Sequence, residues 1–310
     1  MINLNLPKSF NNLPHVLSID QFSKDNINSF LDFVSHVEHN QHLFLDSLKG
    51  KILATLFFEA STRTRLSFES AMFKTGGQVI TVEDGNSSSI KKGESLEDMG
   101  KVVSQYADII VVRHPEVLSC NKIAETAEVP VVNAGDGGHE HPTQALLDLY
   151  TIKKEKNNFD GLKIGFFGDL KYARSANSTI KALAKYNTTF SFISQEGFEL
   201  SDELTLSLQE NEYAIHDPSK LEEALKECDV LYVTRLQKER ILAQKRSTEF
   251  SFLTKSHLKH SKSDLMILHP LPRVDEMDKD IDNDPKAFYF KQAKNGVYVR
   301  MALLNVLLAS

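Results

Sequence analysis

Phe57-Phe58-Glu59-Ala60-Ser61-Thr62-Arg63-Thr64-Arg65 joins an apolar run of strand length, residues 52–58, to a segment in which Phe68, Ala71 and Met72 recur at helical spacing. A buried strand that turns directly into a helix is the repeating unit of a parallel α/β sheet. Ser61 and Thr62 are of the type that caps helix N-termini, so the helix is expected to begin among these hydroxyls. A helix start offers unpaired backbone N–H groups and a partial positive charge, which together attract an anion. Two hydroxyls and the guanidiniums of Arg63 and Arg65 in the same turn make a phosphate-sized anion the natural occupant. The plainer reading of this run alone is a capped helix with its arginines in solvent.

The same alternation extends outward on both sides. Strands are expected at residues 78–82, 108–113 and 129–133, then at 162–168, 190–194, 230–234 and 265–268. Between them fall helical patterns at 94–106, 143–154, 176–186 and 221–228. A polar stretch at 153–161 separates two such sets, which predicts two doubly wound α/β domains with parallel sheets, joined by a long helix ending near Lys156. The 310-residue length also suits two domains. Residues 301–309 are apolar but far too few to span a bilayer, and they predict a buried terminal helix.

Composition narrows the function classes. An apolar fraction of 41% and a charged fraction of 25% describe a soluble globular chain. The net charge of −6, with no long basic run, argues against a nucleic-acid partner, so an anionic ligand must be drawn by locally clustered arginines. The segment from Met1 to Pro7 has neither a basic n-region nor a long apolar h-region, and a cytoplasmic location is expected. Cys120 and Cys228 lie far apart without metal-ligand spacing, so reduced thiols are expected rather than a zinc or disulfide framework.

Further motifs follow the other strands, where open α/β sheets bind ligands. Asn133-Ala134-Gly135-Asp136-Gly137-Gly138-His139-Glu140-His141-Pro142-Thr143-Gln144 reads as a pliable loop with Pro142 in the first turn of a helix. His141 at that entrance and Gln144 one turn inside suit a polarised carbonyl, although His141 alone fits a helix cap equally well. Gly168-Asp169-Leu170-Lys171-Tyr172-Ala173-Arg174-Ser175 lacks the glycine triplet of a dinucleotide site and presents Arg174 at a helix entrance, where it could clasp a carboxylate. Arg235, after the next strand, repeats the device, and His269-Pro270-Leu271-Pro272-Arg273 adds a stiff loop whose Pro270 and Leu271 carbonyls can accept from an amine. The polar stretch 84–94 contains Ser88, Lys91 and Lys92 and fits either a solvated linker or an arm that closes over phosphate.

Taken together, these blocks resemble the aspartate carbamoyltransferase family over essentially the whole chain. The resemblance rests on the run from Phe57 to Arg65, on Val112-Arg113-His114-Pro115, Asn133-Ala134-Gly135-Asp136-Gly137, His141-Pro142-Thr143-Gln144 and Gly168-Asp169-Leu170-Lys171-Tyr172. It continues through Arg235-Leu236-Gln237-Lys238-Glu239-Arg240 and His269-Pro270-Leu271-Pro272-Arg273, the two blocks that distinguish aspartate from ornithine enzymes. It implies transfer of the carbamoyl group of carbamoyl phosphate to the amine of L-aspartate in pyrimidine (UMP) synthesis, without metal or organic cofactor. Other amine acceptors and a non-catalytic homologue are the alternatives.

The resemblance implies a first domain of residues 1–142, with a terminal helix 293–310 returning to it, that binds carbamoyl phosphate, and an aspartate-binding domain of residues 143–292. Ser61, Thr62, Arg63 and Thr64 would hold the phosphate. Arg113, His141 and Thr64 would contact the carbonyl oxygen, while Gln144 and the carbonyls of Pro270 and Leu271 would hold the carbamoyl nitrogen. Arg174, Arg235 and Gln237 would bind aspartate. The family is a homotrimer with shared active sites, to which Ser88 and Lys92 of a neighbouring subunit contribute, Lys92 with a catalytic role. Regulatory chains or a dihydroorotase are possible further partners. Ala173, Ser175 and Asn177, residues 241–250 and residues 116–122 depart from the best-known members.

Overall fold

The computed structural model describes residues 6–7, 13–83, 93–208, 210–235 and 252–308. The chain forms two compact units, residues 1–150 with 294–310, and residues 151–293. The chain passes from the first to the second inside a helix, at Tyr150–Thr151.

The first unit runs α1 (Lys24–His39), β1 (Ile52–Phe57), α2 (Thr62–Lys74), β2 (Gln78–Glu83), α3 (Leu96–Ser104), β3 (Ile109–His114), α4 (Ser119–Ala124), β4 (Val131–Asp136) and α5 (Pro142–Lys156). Its sheet is parallel, in the order β2-β1-β3-β4. β1 and β3 sit in the middle, and Ile109 to Val112 are completely buried, as a strand covered by helices on both faces requires. The one hydroxyl inside β1, Thr55, is satisfied across the sheet by Thr81 at 2.9 Å. β2 is the edge, and most of its side chains are exposed.

The second unit runs β5 (Lys163–Phe167), α6 (Arg174–Leu183), β6 (Thr189–Ile193), α7 (Asp202–Leu206), β7 (Tyr213–His216), α8 (Leu221–Glu227), β8 (Val230–Val233) and β9 (Met266–Leu268). These strands pair in parallel in the order β7-β6-β5-β8-β9. Phe166, Phe190, Phe192 and Tyr232 pack on one another with ring centroids 5.3–6.3 Å apart, an aromatic layer on one sheet face. The last helix, α9 (Tyr289–Leu308), begins in the second unit and ends in the first.

The eight expected strands are all present, with ends shifted by one to three residues. α1, α4, α7 and β7 stand outside the expectations, and the terminal helix begins earlier than expected. α1 carries a capping box, Ser23 with Asn26, and buries Ile27, Phe30, Leu31, Val34 and Val37 at helical spacing, so its signal is legible in the chain. β7 is short and exposed, which leaves it no hydrophobic alternation to read. α9 starts at Tyr289, well before the apolar run at 301–309, because its first turns are amphipathic. Cys120 and Cys228 are both buried, and neither forms a disulfide.

Candidate active site

In the first unit, three neighbouring strand ends carry the candidate residues. β1 leads through residues 58–61 into α2, whose first turn holds Thr62, Arg63 and Thr64. Ser61 is the N-cap, yet its hydroxyl accepts nothing from its own helix, contrary to the expected capping role. The first-turn N–H groups and the Ser61 hydroxyl are thus not consumed by each other. Arg63 is exposed and Thr64 buried, so the turn presents one flexible cation and one fixed hydroxyl. Arg65 does not join them. It pairs with Glu69 at 3.5 Å and with Glu83 at the edge strand, so the expected second guanidinium of the turn is already neutralised.

Arg113 sits near the end of β3, in register with Phe57. Opposite it, β4 carries an extra residue: Val112 pairs with Asn133, and His114 with Asp136. Such a bulge bends a strand and re-aims side chains, here beside Arg113. The guanidinium Nε lies 3.0 Å from Glu59 Oε2, and Nη1 lies 3.5 Å from the Ala134 carbonyl. Arg113 therefore reaches both neighbouring strand ends. Its partner Glu59 was not singled out in the sequence, since one acid in an arginine-rich turn has no spacing signature.

The run from Asn133 to Asp136 is strand rather than loop, and it is fully buried. Its polar side chains are satisfied locally. Asn133 Nδ2 donates to Asp136 Oδ1 at 2.9 Å and to the Leu17 carbonyl at 2.9 Å, and Asn133 Oδ1 accepts from Gly135 N at 2.7 Å. Burial alone would raise the Asp136 pKa, but hydrogen bonds from His139 and Asn133 outweigh it and hold the carboxylate below its ordinary range. This network holds the strand end that delivers His141. Pro142 is the first residue of α5, as expected, and His141 is buried immediately before it. The Thr143 hydroxyl lies 3.4 Å from His141 Nδ1. Gln144 is also buried, and its Nε2 donates to Asp148 Oδ1 at 2.8 Å.

The second unit repeats the arrangement on β5, β8 and β9, which are also neighbours. After β5, Gly168 turns with φ +116, and Asp169 Oδ1 accepts from the backbone of Lys171 at 3.1 Å and Tyr172 at 2.8 Å. That turn delivers Arg174 as the first residue of α6. After β8, the Thr234 hydroxyl donates to the carbonyls of Asp169 at 2.9 Å and Phe167 at 3.2 Å, tying the base of Arg235 to the turn that carries Arg174. After β9, His269 is buried. Its Nδ1 accepts from Leu271 N at 2.8 Å, so the proton sits on Nε2, which donates to Glu276 at 2.7 Å. This clasp shapes the Pro270-Leu271 carbonyls. Arg273, at the end of that loop, is locked in an ion pair with Asp282 and covers the Tyr289 ring. Ser88, Lys92 and Gln237 lie outside the described residues.

The His269–Glu276 clasp carries a pH signature. Burial is the largest single influence on Glu276 and raises its pKa, but the hydrogen bond and charge of His269 together with backbone N–H donors outweigh it and hold the carboxylate below its ordinary range. A depressed folded-state value stabilises above the unfolded one and loses that contribution as pH falls through the folded one. The Glu276→Gln chain is expected to be less stable by about 1–3 kcal/mol at pH 7. Thermal midpoints measured from pH 7 to pH 4 should fall less for the variant than for the parent chain.

Two parallel α/β units, each with cationic and donor groups at adjacent strand ends, define a two-domain protein built to hold small anionic substrates. Residues 14–154 match the family description Aspartate/ornithine carbamoyltransferase, carbamoyl-P binding domain, and residues 160–307 match its Asp/Orn binding domain. The aspartate carbamoyltransferase catalytic subunit of Thermococcus onnurineus is 48% identical over 301 residues, covering 94% of this chain and 96% of the relative. That of Clostridium perfringens is 46% identical, covering 95% and 97%. Among solved structures, aspartate transcarbamoylase from Trypanosoma cruzi in complex with carbamoyl phosphate and aspartate superposes with a TM-score of 0.91 at 33% identity, covering 99% of this chain and 100% of that one. The catalytic subunit of M. jannaschii aspartate transcarbamoylase gives 0.86 at 43% identity, covering 95% and 98%. The chain belongs to the aspartate/ornithine carbamoyltransferase family, and the relatives named above are of the aspartate branch.

Proposed function

We propose that this chain transfers the carbamoyl group of carbamoyl phosphate to the amine of L-aspartate, giving N-carbamoyl-L-aspartate and phosphate for pyrimidine (UMP) synthesis. The observation that carries the reading is the pair of arginines, Arg174 and Arg235, on linked strand ends of the second unit. Two guanidiniums suit a dicarboxylate amine, and they have no counterpart need in ornithine.

In this reading the α2 N-terminus with Ser61, Thr62, Arg63 and Thr64 holds the phosphate. Arg113, His141 and Thr64 donate to the carbonyl oxygen, and their donors gain most as negative charge develops there. Gln144 and the Pro270 and Leu271 carbonyls accept from the carbamoyl NH₂. The aspartate nitrogen attacks the carbonyl carbon, the carbon–oxygen bond to phosphate breaks, and the departing phosphate takes the amine's proton. Orientation and charge stabilisation suffice for this chemistry, which calls on no metal or organic cofactor.

The first domain, residues 1–142 with 293–310, is assigned to carbamoyl phosphate and residues 143–292 to aspartate. A homotrimer with sites shared through Ser88 and Lys92 belongs to the same proposal, with Lys92 acting in catalysis and Gln237 orienting aspartate. Exposed apolar side chains on α2 and the β2 edge, Leu66, Phe73, Ile80 and Val82, support a second copy packing there. No helix among the described residues is long and apolar enough to cross a membrane, which fits the expected cytoplasmic location.

The test is product formation from carbamoyl phosphate with L-aspartate or L-ornithine. Turnover is expected with aspartate alone, with loss in Arg63→Ala and Arg235→Ala. Mixing Lys92→Ala with Arg63→Ala chains should restore part of the activity. Turnover with ornithine, or none with either amine, would overturn the assignment, and no recovery from exchanging subunits would overturn the shared site.

A further inference from the structure

Glu140 is a buried acid that the reaction above does not use, and it stands immediately before His141. It is 1% exposed, and both of its carboxylate oxygens are engaged by the segment ahead of α1. Ser18 Oγ donates to Oε1 at 3.0 Å, and Ile19 N donates to Oε2 at 3.0 Å. The backbone of Glu140 closes a turn back onto Asp136. Asp136 N donates to the Glu140 carbonyl at 3.3 Å, and Glu140 N donates to Asp136 Oδ1 at 3.3 Å. The segment that holds Glu140 also lies along β4. Val16 N donates to the Val131 carbonyl at 2.8 Å, Asn133 N donates to the Val16 carbonyl at 2.8 Å, and Asn133 Nδ2 reaches the Leu17 carbonyl. Residues 16–19 therefore grip the chain on both sides of the turn, at β4 before it and at Glu140 after it.

We propose that Glu140 is a positioning residue for His141: by clasping Ser18 and Ile19 it fixes the turn from which the imidazole is aimed at the carbamoyl carbonyl oxygen. The need for such a clasp is written in the turn itself. Gly135, Gly137 and Gly138 make it pliable, and the first two take φ of +115 and +50. Pro142 stiffens the helix entrance on the far side of His141, so the near side is where freedom remains. A donor aimed at developing charge acts through being placed in advance, and a misplacement of about 1 Å can cost about 10²-fold in rate. Without the carboxylate, the Ser18 hydroxyl and the buried Ile19 N–H lose their acceptor, and the segment is driven to find water instead of holding the turn. An amide in its place can still serve. Its oxygen accepts from Ile19 N while its NH₂ donates to Ser18 Oγ, because a hydroxyl both gives and accepts.

The inference rests on the carbamoyl-transfer reading, and a double-mutant cycle with His141→Ala separates the two. Rates are measured with saturating aspartate, below the melting point of each chain. Glu140→Ala is expected to lower kcat about tenfold or more, through a misplaced imidazole. Carbamoyl phosphate KM should change less than about threefold, since the α2 helix start that holds the phosphate is untouched. In the His141→Ala background the same substitution should cost less than about twofold, because no imidazole is left to aim. Glu140→Gln should keep kcat within about threefold of the parent chain. An equal loss of kcat in both backgrounds is the mark of general damage to the fold and overturns the proposal. A lowered melting point with kcat unchanged overturns it as well. Should Glu140→Ala not fold, Ser18→Ala, which removes one of the two carboxylate bonds, decides by the same cycle. Failure of the parent chain to turn over carbamoyl phosphate with aspartate, or His141→Ala at the parent rate, would instead overturn the functional reading on which the inference stands.

Discussion

Arg113→Ala is expected to lower kcat by about 10²–10³, the size of the loss when a preorganised oxyanion donor is removed. The bulge in β4 re-aims the side chains beside the end of β3, where Arg113 reaches both neighbouring strand ends. Arg113 is then held by Glu59 through Nε and approaches the Ala134 carbonyl through Nη1. A side chain anchored on both sides meets developing charge without first reorganising, which is where such donors gain their effect. The removal has a second consequence. Glu59 loses its cation and stands as an unbalanced carboxylate beside the α2 N-terminus, where it repels an incoming phosphate. Carbamoyl phosphate KM should therefore rise as kcat falls, and Glu59→Gln in the Arg113→Ala background should recover KM without recovering kcat. Steady-state kinetics with saturating aspartate separates the two. Retention of kcat within threefold in Arg113→Ala would remove Arg113 from the catalytic set.

The second large effect is expected at Gly168. Its φ of +116 is a conformation that side-chain-bearing residues rarely adopt, and a Cβ there would lie 2.5 Å from the Thr234 carbonyl oxygen. The clash is with backbone, which cannot rotate away. Gly168→Ala is expected to cost about 2–4 kcal/mol in stability, from strain and overlap together. Relief requires the β5 and β8 ends to part, breaking the Thr234 bonds to Phe167 and Asp169. Arg174 and Arg235 stand directly beyond those ends, so both proposed carboxylate clamps should move at once. Aspartate KM is expected to rise at least about tenfold, while stabilisation by phosphate, bound in the first unit, persists. A melting point and aspartate KM matching the parent chain would show that the turn does not set the clamp.

How much of this was legible in the chain follows from the range of each interaction. The strand-turn-helix joins at Ser61, Pro142 and Arg174 are local, and their spacing is written in consecutive residues. The resemblance carried the candidate residues to the same strand ends. Local reading failed where a distant partner decides. Arg65 looks like part of an anion clamp in sequence, but Glu83 on the edge strand, with Glu69, neutralises it. Ser61 looks like a cap, and its hydroxyl is not spent on its helix. The Gln144–Asp148 pair was open to a spacing argument at i, i+4, since it needs only the helix that carries both.

By itself, the sequence determined the two parallel α/β units, the order of eight of their nine strands, the helix starts that attract anions, and membership of the carbamoyltransferase family. Each of these rests on periodicity or on short motifs, and a few consecutive residues are enough to specify them. The tertiary structure decided which cations are available and which are neutralised. It also decided how Arg113 is anchored, and which end of the Gln144 amide Asp148 holds. Those outcomes depend on partners such as Glu59, Glu83 and Asp282, brought near by packing and burial, where a single opposing charge outweighs any local preference.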